Sequence, residues 1–214
     1  MSFTQLHPIK ASIYNQSRLL EFLISDYSDM QRLWEKKISL SFKRDAKVIA
    51  AGDEEIEMSV TSQMLNSFGN NREYEGCFYN AMLILVFSYY EDLICTIYDE
   101  VFPGAPIRNI PRLSGICQQK SISLSDKAKE DAEFVCTKVR LLRNYITHNK
   151  WGKPNNSAGD IKSIKDLSQQ YQDIVCDDST LCLRGCNFLL DALGKERSIL
   201  LELSEKLGFT SHTV

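Results

Sequence analysis

The sequence predicts an all-α fold: a bundle of about five helices, with a small β-hairpin before the last one. Three observations predict it. Apolar residues recur at helical spacing from about Tyr14 to Leu40. From about Tyr74 to Phe102 they crowd so densely that the first half of the stretch keeps little polar face. Ser125 and Asp126 then open a third long helix, expected to end near Asn149, with apolar residues on two of its sides. The 214 residues suit one domain, residues 1–214, with a core from about 14 to 207.

In the first helix the apolar face is Leu19, Leu20, Leu23, Tyr27, Met30, Trp34 and Ile38. Its outer face turns basic through Arg32, Lys36, Lys37, Lys43, Arg44 and Lys47, which reads as a solvated surface. The run from Gly52 to Glu55 marks a break. Residues 57–75 have no clear period, and Ser67 to Arg72 is loop-like. The helix of 74–102 carries Phe78, Met82 to Phe87, Tyr90, Leu93, Ile94, Ile97, Tyr98 and Val101. A helix apolar nearly all round is buried on several sides, so this is the expected central helix. Glu91 shares a face with Ile84, Phe87, Ile94 and Tyr98. Its carboxylate therefore lies either at the core edge or against a buried partner.

Three prolines between Pro103 and Pro111 make a loop. After a second loop near 152–159, Ile161, Ile164, Leu167 and Tyr171 suggest a shorter helix. Ile174-Val175-Cys176 and Thr180-Leu181-Cys182-Leu183, around Asp177-Asp178-Ser179, read as the hairpin. A last helix is expected from about Asn187 to Leu207.

A net charge of -3 and a pI near 5.7 argue against a general nucleic-acid coat or a polybasic membrane binder. Any contact with a polyanion must use local patches. Seven cysteines without a Cys-x-x-Cys pair, and a start lacking a basic head and apolar core, point to a reduced, cytoplasmic setting. Cys176, Cys182 and Cys186 lack a neighbouring His or a second pair, so neither a metal nor another cofactor is expected. The longest apolar run, Ala81 to Phe87, falls short of the ~20 residues that span a bilayer, so no membrane segment is expected.

One window stands apart. No carboxylate occurs from Phe134 to Gly159, while Lys138, Arg140, Arg143, Lys150 and Lys153 do. It contains His148, the only histidine away from the chain ends. At about 100° per residue, Ala128, Ala132, Val135, Val139, Leu142 and Ile146 form one stripe, the expected core face. Phe134, Leu141 and Tyr145 form a second, which must pack on another element or a second subunit. Between them lies a polar arc of Arg143, Thr147, Arg140, Asn144 and His148. Arg143 and His148 stand about 140° apart on this wheel. They either bracket a site about one phosphate wide or each meet a counterpart across a two-fold axis. Arg can hold a phosphate with two donors, and His can take and return a proton near neutral pH. Together they can drive attack of a ribose 2′-hydroxyl on the adjacent phosphodiester. The plainer reading is two cations favoured at a helix C-terminus.

Arg143-Asn144 followed by His148 resembles the Arg-x4–6-His signature of the HEPN superfamily, including the polar residue after the Arg. The stretch Phe87 to Leu93 is similar to a helix that places a Glu near the site in several HEPN families. The resemblance implies a HEPN-like helical bundle and a metal-independent endoribonuclease acting at a homodimer cleft. Catalytic residues would be Arg143 and His148, with Asn144, Glu91 and Thr147 supporting and Arg140, Lys150 and Lys138 as RNA-binding candidates. It also implies a toxin or antiviral defence effector of the abortive-infection kind, with an antitoxin or defence-system partner. The alternative within the family is a non-catalytic adaptor that binds a nucleotide or a partner. HEPN toxins paired with nucleotidyltransferase antitoxins carry a Tyr two residues after the His. Here that position is Lys150, so control through such a Tyr is not expected.

Overall fold

The structure is a computed structural model. The structure describes the backbone of residues 4–70, 73–105, 113–148, 157–177, 181–209 and 212–213, and side chains within 6–67, 76–105, 113–148, 157–177 and 181–209. The fold is all-α. Seven helices occupy the described residues: α1 (Pro8–Ala50), α2 (Glu54–Asn70), α3 (Glu73–Val101), α4 (Leu113–Gln119), α5 (126–148), α6 (Ala158–Gln170) and α7 (Asn187–Lys206). The hairpin is present as β2 (Ile174–Cys176) and β3 (Leu181–Leu183), antiparallel with Val175 opposite Cys182. A short antiparallel pair, β1 (Thr4–Gln5) with β4 (His212–Thr213), brings the chain ends together.

α3 is the hub. Leu83, Val86, Leu93, Ile94 and Ile97 are fully enclosed, and Tyr79, Phe87, Tyr89 and Tyr90 nearly so. α1, α5, α7 and β3 pack around it. By length and composition Gly76–Val101 could cross a membrane, at a mean hydropathy of 1.4. In this fold it is the core helix. Its unbroken apolar runs are short because single polar residues such as Asn80 and Ser88 interrupt them.

Two helices are additional to the five expected. α2 replaces the expected loop up to Asn70. Its start is set by Asp53, whose Oδ1 accepts from the backbone N–H of Glu55 at 3.0 Å and Ile56 at 3.1 Å. Glu54, Glu55 and Glu57 in its first turn suit the positive end of the helix. The break before it is sharp because Ala51 and Gly52 both take positive φ, 50° and 98°. α1 begins earlier than expected, where Pro8 at the first turn and the His7 side chain cap it. The core likewise extends to Ile9 and Phe209.

The apolar face expected for α1 faces the core only in part, through Leu20 and Tyr27. Ile9, Ile13, Ser17, Ile24, Ala46 and Ala50 are its buried residues, while Leu19, Leu23, Met30 and Trp34 are exposed. The helix has two apolar faces, and the more conspicuous one points outward.

α5 is continuous but not uniform. Its α-helical parts, Asp126–Phe134 and Arg140–His148, are joined by a π-helical turn, Val135–Val139. The Arg140 N–H closes that turn on the Val135 carbonyl. A π turn inserts a residue, so a wheel at constant angle fails across it. The buried positions are Ala128, Asp131, Val135, Val139, Leu142 and Tyr145, whereas Ala132 and Ile146 from the expected stripe are only half-buried. The second strip packs inside this chain. Phe134 meets Tyr171 and Phe188 at ring distances of 6.3 and 6.0 Å, and the Tyr145 hydroxyl donates to Asp160 at 3.4 Å. Its partner is another element of the same fold.

Caps tie the shell together. Asp173, on the approach to β2, accepts the Phe188 N–H at 2.9 Å and so caps α7. Gly185 is required there, because a Cβ would lie 2.7 Å from that of Asp173. Ser125 caps α5 by accepting from the Ala128 N–H at 3.2 Å, and its own N–H and hydroxyl donate to Glu202 at 2.5 and 2.6 Å. Losing that cap by Ser125→Ala is expected to cost about 1 kcal/mol, read as a lower urea midpoint. An unchanged midpoint would show that α5 does not depend on it.

Candidate functional site

Burial of α3 places Glu91 where the polar arc of α5 can reach it. Arg143 Nη2 lies 3.6 Å from Glu91 Oε2, each side chain about three-quarters buried at 25% and 24% exposure. That separation is an ion pair but too long for a hydrogen bond. Arg143 Nη1 donates to Asn144 Oδ1 at 2.9 Å. The guanidinium also covers the Phe87 ring, 5.3 Å from its centroid. Its Nε is buried with no acceptor. Of the expected site residues, the structure brings Arg143, Asn144 and Glu91 together, and Phe87 joins them.

The others stand apart from this cluster. His148 and Thr147 are exposed on the last turn of α5, and no hydrogen bond or ion pair links either to another described residue. Arg140 is exposed one turn before Arg143, and Lys138 is half-buried in the π turn. Lys150 lies outside the described residues.

Beside the cluster runs a groove of about 1250 Å³ between α3, α4 and α5. Glu91 and Phe87 form one wall with Tyr90, and the π turn supplies Cys136 and Thr137 opposite, with Arg140 beyond them. The π turn thus swings polar side chains toward the groove while Val135 and Val139 stay in the core.

Sequence reasoning missed Glu196. It lies on α7, wholly buried, and neither carboxylate oxygen has a hydrogen-bond partner. Desolvation pushes its carboxyl well above the ordinary range near 4.5, and the nearby Glu91 charge adds to the effect. Burial therefore favours the neutral acid at Glu196. Burial likewise raises the Tyr90 hydroxyl, with Cys136 and Glu196 contributing. The signal was available: Leu189, Leu193, Glu196, Leu200 and Leu203 follow a core-facing spacing, and Glu196 is the one polar member.

Compared with known family models, curated proteins and solved structures, the chain finds no match. The HEPN resemblance therefore rests on the short motif and its setting.

Glu196 makes a pH-dependent prediction. An acid whose pKa is raised by folding binds more protons folded than unfolded above its ordinary value, so its contribution to stability falls as pH rises through that value. Glu196→Gln is expected to melt at a higher temperature than the parent at neutral pH. The difference should shrink as pH falls toward 4.5. A difference that does not change with pH would mean that Glu196 is not held neutral.

Proposed function

We propose that this protein is a metal-independent endoribonuclease of HEPN type. Arg143 holds the scissile phosphate, and His148 moves the proton between the ribose 2′-hydroxyl and the leaving 5′-oxygen. The products are a 2′,3′-cyclic phosphate and a 5′-hydroxyl. The observation that carries this reading is the state of Arg143. Its guanidinium is partly exposed and oriented by Asn144, Glu91 and the Phe87 ring, and the Nη2 contact with Glu91 is too long for a hydrogen bond. It is positioned with donor capacity to spare, as a phosphate clamp requires. Arg140, exposed along the same helix, extends the positive track toward the groove, and no ion pair engages it among the described residues.

One observation favours the second reading, a non-catalytic adaptor that binds a nucleotide or a partner. Nothing described in the chain orients His148, and a general base is ordinarily held by a hydrogen bond to its other ring nitrogen.

Incubation of purified protein with RNA in EDTA separates the two. Under the ribonuclease reading the parent cleaves, and Arg143→Ala and His148→Ala each lose about a hundredfold or more in rate. Equal cleavage by all three would end this reading. RNA binding without cleavage, weakened by Arg143→Ala alone, selects the adaptor.

A further inference from the structure

α1 carries a second apolar face that nothing in the described chain covers. Leu19, Leu23, Met30, Leu33 and Leu40 are 59, 43, 51, 60 and 59% exposed, with Phe22 at 63% and Trp34 at 65% on the flanks. The five aliphatic positions follow alternating steps of four and three, completed by Asp26 and Lys37: 19, 23, 26, 30, 33, 37, 40. That 3.5-residue repeat is the seam of a coiled coil. The buried face of α1, with Ile13, Ser17 and Ile24, lies on the opposite side of the helix and packs on the bundle. So the seam is not a mispacked core face but a separate surface.

We propose that this seam is a homodimer interface in which α1 pairs antiparallel with α1 of a second copy. The two charges in the seam select the partner and its direction. Asp26 and Lys37 are exposed, and neither forms an ion pair among the described residues. In an antiparallel pairing centred between residues 31 and 32, Asp26 of each copy faces Lys37 of the other, Met30 faces Leu33, and Leu23 and Leu40 meet around them. One two-fold axis thus satisfies both charges and stacks the apolar residues between them. A parallel pairing in register sets Asp26 against Asp26 and Lys37 against Lys37, which is unfavourable.

Energetics point the same way. The stretch from Leu19 to Leu40 is about 33 Å long at 1.5 Å per residue. Alone, a coiled coil this short is marginal. Here the bundle core already holds α1 helical, so association need not also fold the helix. This inference does not rest on the ribonuclease reading. It moves the expected two-fold interface from α5, whose second strip is filled within the chain, to α1.

Light scattering and sedimentation of the whole protein over a micromolar dilution series test it. The parent is expected to dimerise, and Leu33→Glu to be monomeric with an unchanged helical signal and melting profile below the dissociation range. Asp26→Lys and Lys37→Asp should each weaken the dimer, about tenfold or more, since each replaces two attractive contacts by two repulsive ones. The double exchange Asp26→Lys with Lys37→Asp should restore it. A monomeric parent, or a dimer indifferent to Leu33→Glu, overturns the proposal. Failure of the double exchange to rescue overturns the antiparallel register. A parent that is monomeric yet binds vesicles through this face assigns the seam to a membrane surface instead, and likewise overturns it. RNA cleavage is scored separately and decides none of these outcomes.

Discussion

The structure depends on burying α3. A helix with Leu83, Val86, Leu93, Ile94 and Ile97 fully enclosed needs neighbours on nearly every side, and α1, α5, α7 and the hairpin supply them. Full enclosure leaves few places for a charge. Glu91 escapes desolvation by reaching the rim, where Arg143 meets it. Glu196 faces the same helix from α7 without such a partner and loses its charge. The ion pair and the neutral acid are two answers to one constraint. They are also coupled: the nearby Glu91 charge adds to the upward shift of the Glu196 carboxyl.

That constraint explains why Arg143 is held among described residues that do not hold His148. Arg143 lies over Phe87 and against Glu91. His148 is more than one turn further on, exposed on the last described turn of α5. Beyond the π turn Tyr145 is buried and bonds to Asp160 of α6, while Ile146 is only half-buried.

Much of this was legible in the sequence where one physical signal dominated. The density of apolar residues identified α3, the Ser125 cap identified the start of α5, and the alternation around Asp177 identified the hairpin. For Glu91 both readings hold in part: its carboxylate lies at the core edge and meets the half-buried Arg143 there. The rest failed for specific reasons. A wheel presumes 3.6 residues per turn, and no residue between Val135 and Val139 announces a π turn. α2 is a weakly amphipathic helix stabilised by its Asp53 cap and by packing on α1, so its period is faint. The groove depends on α4, a seven-residue helix too short to register as a pattern.

The most instructive error is the first helix. Apolar periodicity finds faces that avoid water, but it does not say what each face avoids water against. In α1 the bundle takes the face of Ile9, Ile13, Leu20, Ile24 and Tyr27, with a serine in the middle at Ser17, and leaves a second apolar face outside. A single-chain core tolerates Ser17 because its hydroxyl donates to the Tyr14 carbonyl of its own helix. Asp26 and Lys37 are exposed, and their opposite signs at symmetric positions are what the proposed two-fold pairing would use. The polar residues, not the apolar ones, therefore tell the two faces apart. On the core face the polar group is satisfied locally, and on the outer face the charges are exposed.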